Sequence, residues 1–222
     1  MIKMLKILLL ALAMLNITYA AAGNDTFKVK TVTGKELTFK GTADGIVTSP
    51  YEGKVVIVEF WGTWCGPCLL SIPHEVEMQE KYKDTLRIVA IETTPNVTSE
   101  ELRKFIQNPG KEIDMSKVEW YLQNKAKSAQ AKAYMEKPVE DLKKFTKSGK
   151  KINYDIISSK DGDQFMRYIA QRASWQGGIP FMIIFKPNGM VSNILQGMPT
   201  EDVLQRAYNN AIKKKQAPTT AQ

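Results

Sequence analysis

The sequence predicts an α/β fold, and three observations carry that expectation. Residues 54–60, KVVIVEF, form a near-continuous apolar run of strand length, and residues 86–92, LRIVAIE, form a second. Runs of this kind belong to strands covered on both faces. Between them, LLSIPHEVEMQEKY places Leu69, Ile72, Val76 and Met78 at helical spacing, so the order is strand, helix, parallel strand. Pro73 is expected to kink that helix.

The remaining elements follow in chain order. Residues 1–22 carry Lys3 and Lys6, an apolar run over 7–15 and small residues at 20–22, the layout of a secretory signal peptide. The run is about half the length a membrane-spanning helix needs, so cleavage near Ala20 or Ala22 is expected, with an uncleaved anchor as the alternative. The mature chain is then periplasmic or otherwise extracytoplasmic. FKVKTVTGKELTF alternates around a Thr-Gly turn and reads as a β-hairpin. After residue 94 the pattern turns helical: Thr98 and Glu101 are spaced as a capping box, NPG at 108–110 ends that helix, and Met115, Val118, Leu122 and the alanines at 126, 129 and 133 suggest another. Pro138 is expected to open a third, with Leu142 and Phe145 on one face. Strand character resumes with INYDII, a helix is expected over 162–173, then PFMIIF, a turn at 187–189, MVSNIL and a last helix over 200–213. The domain organisation expected is a core of 23–94 and 152–216, a lysine-rich helical insertion over 95–151 and a disordered tail at 217–222.

Net charge is +8, and residues 125–151 hold nine lysines against three acidic residues, so the basic excess sits in that segment. Nucleic-acid binding would want aromatics or a recognised fold interleaved with the charge, and secretion argues against it. A solvated helical face is the reading taken; an acidic partner or an anionic membrane surface is the alternative.

Function concentrates in WGTWCGPC, residues 61–68, which holds both cysteines of the chain, Cys65 and Cys68. A strand that delivers a Cys-x-x-Cys onto the first turn of a helix sets the first sulfur among unpaired N–H groups at the positive end of the helix dipole, which favours a thiolate. Cys65 is then the nucleophile, and Cys68, one turn on and more buried, resolves the mixed disulfide. Such a couple cycles without any cofactor. A structural zinc site wants four ligands, and two Cys with the lone histidine, His74, do not supply them. A purely structural disulfide closing so short a loop would remove little unfolded-state entropy and would sit exposed at a helix start. Glu59 interrupts an apolar strand six residues before Cys65; burial should raise its pKa and let it exchange a proton with Cys68, the alternative being a solvated position at the sheet edge. His74 reads as a surface or packing residue.

With these residues in hand, the sequence resembles the thioredoxin superfamily. VIVEFWGTWCGPC is similar to its strand and active-site turn, and GGIPFMIIFKPNGMV to the segment holding the cis-proline that faces that turn. The resemblance implies a thioredoxin fold, a central mixed sheet flanked by helices with an N-terminal β-hairpin and a helical insertion, a cis bond before Pro180, substrate contacts from the Ile179 backbone, a lining of Trp64, Gly66 and Pro67 completed by Gly197, and a buried acid at Glu59. Signal peptide, hairpin and the proline of SIPHE resemble the secreted TlpA and ResA-like branch, whose members are extracytoplasmic thiol–disulfide oxidoreductases acting on apocytochrome c or other protein disulfides and fed by a membrane electron donor of the DsbD or CcdA type. Residues 95–150 have no counterpart in thioredoxin, and a helical domain at this point characterises DsbA-type oxidants. The reading is therefore a reductase of partner-protein disulfides, with a DsbA-like oxidant or isomerase as the alternative. The Gly-Pro dipeptide favours the former, since thioredoxin lies near about −270 mV and DsbA near about −120 mV. A third reading, from another class, is a binding or chaperone adaptor working through the basic insertion.

Overall fold

The structure, a computed structural model, describes residues 25–213; the signal peptide expected at 1–22 and the disordered tail expected at 217–222 lie outside the described residues. Alternation along one strand sets the architecture. β4 (Val55–Trp61) is buried at every position. Val55, Ile57 and Trp61 join one apolar cluster, while Val56, Val58 and Phe60 join another on the opposite face, the two-residue period of a strand covered on both sides. β4 pairs in parallel with β5 (Leu86–Glu92) and antiparallel with β7 (Phe181–Phe185). β6 (Asp155–Ile157) and β8 (Val191–Gln196) complete a mixed sheet of order β6-β5-β4-β7-β8.

The N-terminal hairpin is present as β1 (Thr26–Lys30) and β2 (Glu36–Gly41), and it carries a third antiparallel strand, β3 (Ile46–Ser49), that the sequence pattern does not mark. Four residues ending at a proline are too few for periodicity to register. Val29, Leu37 and Phe39 from this small sheet pack with Phe165 and Ile169 of a later helix, α6 (Ser159–Arg172), on one face of the central sheet. Phe39 and Phe165 stack with ring centroids 3.8 Å apart.

The other face is covered by α1 (Gly66–Lys81), which runs unbroken through Pro73, and by α7 (Glu201–Ile212). Between β5 and β6 the chain is helical: α2 (Ser99–Gln107), α3 (Pro109–Glu112), α4 (Met115–Asn124) and α5 (Ala129–Lys147). The capping box forms in both directions, with Thr98 N–H donating to Glu101 at 2.7 Å and Glu101 N–H to the Thr98 hydroxyl at 3.2 Å. Pro138 does not open a helix; it lies inside α5, which begins instead where the Ser128 hydroxyl accepts from Ala131 N–H at 3.0 Å. A proline in mid-helix costs a hydrogen bond. Here Met135, Leu142 and Phe145, on both sides of it, are buried in the shared core and hold the two halves in one helix. For the same reason α4 stops at Asn124, and the alanines at 129 and 133 belong to α5. Among the described residues no helix is long and apolar enough to cross a membrane.

Candidate active site

The C-terminal end of β4 delivers the chain through a short loop onto the N-terminus of α1, and the two cysteines sit at that junction. Cys65 is the N-cap residue of α1, with Cys68 N–H pointing at its sulfur from 3.3 Å. The two are joined as a disulfide with Cα atoms 5.2 Å apart. A backbone donor aimed at Cys65 Sγ from the positive helix end is the arrangement that stabilises a thiolate once the bond is reduced. The disulfide is less exposed than the sequence suggests: Cys65 is 3% and Cys68 1% accessible. The cause is α4, which lies across the start of α1. A Cβ on Gly66 would come within 2.8 Å of both the Lys117 carbonyl oxygen and Tyr121 Cβ.

Facing Cys65 is the turn before β7. The Ile179–Pro180 bond is cis, and the Ile179 carbonyl oxygen lies 3.8 Å from Cys65 Sγ. Gly197, with φ +79°, donates its N–H to the Pro180 carbonyl at 2.8 Å, so it braces this turn from β8. Trp64, Gly66, Pro67 and Ile179 line the cleft above Cys65, while Pro180 and Gly197 stand outside that lining. Trp64 is half exposed and anchored by its indole N–H to the Thr94 hydroxyl at 2.8 Å.

Glu92, at the end of β5, carries no signal in the sequence beyond closing an apolar run, yet it holds the loop. Its carboxylate accepts from Thr63 N–H at 2.9 Å and Thr94 N–H at 2.8 Å, tying the residues on either side of the Trp64 anchor to one side chain. Burial raises its pKa, and these hydrogen bonds oppose that rise.

Glu59 is brought beneath α1 by strand alternation. It points to the same face as Ile57 and Trp61, on the central strand and 2% exposed, so it is not at a solvated edge. The sequence reading missed its partner, Glu75, which is 1% exposed. Cys68, Ser71 and Glu75 follow one another on the sheet-facing stripe of α1, at i, i+3 and i+7. Glu75 lies beside Glu59, with the hydroxyls of Ser71 and Tyr154 next to it. Ser71 Oγ donates to the Cys68 carbonyl at 2.9 Å, which links this acid pair to Cys68 by one contact. Glu59 Oε1 and both Glu75 oxygens lack a well-aligned partner. Burial, and for Glu59 the neighbouring carboxylate, hold both pKa values above the ordinary range. Two buried carboxyls in contact do not both ionise readily, so the pair holds on to a proton at a higher pH than exposed carboxyls do. Tyr154 is pushed up by the same burial and by both acids.

His74 is half-buried on α1 with Nε2 unpartnered and its pKa lowered by burial, away from the cysteines among Pro73, Tyr134 and Met198. Among the described residues no group of three or more His, Cys, Asp or Glu side chains is arranged to hold a metal ion.

The thioredoxin family model matches residues 40–107, which include β4, the disulfide, α1 and β5. The thioredoxin-like protein YneN of Bacillus subtilis is 32% identical over 75 residues, covering 34% of this chain and 39% of that protein. The thiol-disulfide oxidoreductase ResA of Bacillus thuringiensis is 42% identical over 43 residues, covering 19% of this chain and 25% of that protein. The chain therefore spans well under half the length of these relatives. Among solved structures, a thiol:disulfide interchange protein of the thioredoxin family from Chlorobium tepidum superposes with a TM-score of 0.49 at 19% identity, over 84% of this chain and 92% of that one. From the match over β4, the Cys-x-x-Cys turn and α1, together with a mixed sheet that sets a cis-proline opposite that turn, we conclude that the chain carries a thioredoxin domain.

Proposed function

We propose that this protein catalyses thiol–disulfide exchange with partner proteins outside the cytoplasm, acting as a reductase. The observation that carries the reading is the Cys65–Cys68 disulfide at the first turn of α1, facing the Ile179–Pro180 cis bond. In the reduced protein the Cys65 thiolate attacks one sulfur of a partner disulfide; a mixed disulfide forms and the partner's other thiolate leaves. Cys68 then loses its proton to the ionised member of the Glu59–Glu75 pair and attacks Cys65 Sγ, releasing the second partner thiolate and leaving the intramolecular disulfide. Two electrons pass from the dithiol to the partner. A membrane donor of the DsbD or CcdA type would restore the dithiol, and apocytochrome c is one substrate class consistent with the ResA resemblance. The expected periplasmic location, the status of residues 95–151 as an insertion and an acidic or membrane partner for residues 125–151 belong to the same proposal.

The test is the reduction potential of the pair, equilibrated in dithiothreitol or glutathione buffers and read by the fluorescence of Trp64 beside the disulfide. A value at or below about −250 mV supports the reductase; a value above about −180 mV makes the protein an oxidant or isomerase. If a Cys65→Ser, Cys68→Ser protein retained its biological effect, the adaptor reading would replace both.

A further inference from the structure

The cleft above the disulfide is built from two separate parts of the chain. On one side are Trp64, Pro67 and the turn at Gly177, Gly178 and Ile179. On the other is α4, which contributes Lys117, Trp120 and Tyr121, spaced i, i+3 and i+4 on one helical face. Val118, fully buried and next to Gly66 with Tyr121, anchors α4 to the core. The cleft, open to solvent, has a volume of about 1040 Å³, just above the roughly 300–1,000 Å³ usual for ligand pockets. Its walls are mostly apolar, and both of the chain's solvent-exposed tryptophans stand in it, Trp64 at 54% and Trp120 at 58% accessible. Exposed tryptophans gathered around a reactive group mark a recognition surface better than scattered ones do.

Lys117, Lys125 and Glu119 border the cleft. Lys117 is matched by Asp114 at 3.7 Å, while Lys125 and Glu119 have no ion-pair partner among the described residues and offset each other. Beyond Lys125 the chain continues into the lysine-rich segment, nine lysines against three acidic residues over 125–151. That excess makes the Lys125 side of the mouth the one that favours negative charge.

We infer that α4 and the Trp64 loop together form a docking groove for an extended partner segment whose disulfide-bonded cysteine is flanked by a bulky apolar side chain, held between Trp64 and Trp120, and by an acidic residue placed towards Lys125. This rests on the exchange reading and adds the substrate class to it. With Cys65 at the floor, the occupant has to present a sulfur; with aromatic walls, the neighbouring position gains most from an aromatic or large aliphatic side chain; with the lysine-rich segment starting at Lys125 on that side of the rim, an acid there is preferred over a base.

The experiment uses the reduced full-length protein and three synthetic disulfide-bonded peptides identical except beside the cysteine: one carrying Phe and Asp, one Ser and Asp, one Phe and Lys. The expected result is a kcat/KM at least tenfold higher for Phe-Asp than for Ser-Asp, expressed mainly in KM, and a smaller, several-fold advantage over Phe-Lys that shrinks in 0.5 M salt. In Trp120→Ala the Phe-over-Ser preference should collapse to within about twofold, and Trp120→Phe should restore most of it. Because Trp120 is exposed, its loss should leave the fold intact, which thermal unfolding of each variant verifies. Exchange with all three peptides at equal rates, or a preference unchanged in Trp120→Ala, overturns the groove while leaving the oxidoreductase standing. Absence of exchange with any peptide overturns the exchange reading itself.

Discussion

Glu75 is one of three glutamates in HEVEMQE, and only its phase on α1 sets it apart: seven residues after Cys68 it faces the sheet, while Glu77 and Glu80 face water. Its carboxyl is pushed up to about 7 from the ordinary carboxylate range, burial being the main cause. The folded protein thus keeps a proton that the unfolded chain gives up, so this group costs stability as pH rises from about 4.5 towards and through 7. Glu75→Gln removes that penalty. Denaturant midpoints at pH 5 and pH 8 should show the wild type losing stability over the interval and the variant losing less, by on the order of 2 kcal/mol. Glu59 keeps its own burial-raised pKa, so the variant's slope should be reduced and not abolished. Equal slopes in the two proteins would mean that Glu75 does not hold the proton. Glu59 was legible in the sequence because a charge stands out in an apolar strand. Glu75 was not, because a helix that is half polar hides an inward-facing acid among outward-facing ones, and only the position of β4 shows which face is inward.

At the scale of elements, the contact between α1 and α4 turns on Gly66. In an isolated helix, alanine at this position would be preferred to glycine. Against α4 it is not, since the added methyl would press on the Lys117 carbonyl and Tyr121 Cβ at 2.8 Å, and neither is the far end of a flexible side chain. Gly66→Ala should therefore destabilise the protein by about 1–3 kcal/mol, lowering Tm by roughly 2–4 °C per kcal/mol for a chain of this size, whereas a neutral or raised Tm would show that α4 does not rest on the active-site turn. The glycine between the cysteines thus has a packing reason beside any redox one. The sequence readily shows elements whose signals are local: the capping box at Thr98 and both central strands stand where the pattern puts them. It misplaces the start of α5, because the usual meaning of Pro138 as a helix opener is overridden by Met135, Leu142 and Phe145 burying themselves on both sides of it.

At the scale of the whole molecule, the helical segment between β5 and β6 does not own a core. Val118, Met135, Leu142 and Phe145 belong to the same apolar cluster as Val55, Ile57, Cys68 and Leu69, and α1 packs against both α4 and α5. The sequence could suggest that residues 95–151 are helical and additional, but not that they cover the active-site face, since that contact joins positions some fifty residues apart with no local pattern to record it. A shared core has a thermodynamic consequence: the segment and the sheet should unfold together. Leu142 is fully buried, so Leu142→Ala should cost about 2–5 kcal/mol. If the segment were a separate unit, that loss would appear in α5 alone. With one core it should lower amide hydrogen-exchange protection at Val56 and Val58 of β4 by the same factor as at α5, thirtyfold or more at about 1.4 kcal/mol per tenfold change. Protection in β4 that stays at its wild-type level while α5 opens would divide the molecule in two, and would also loosen the α4 wall from the disulfide it covers.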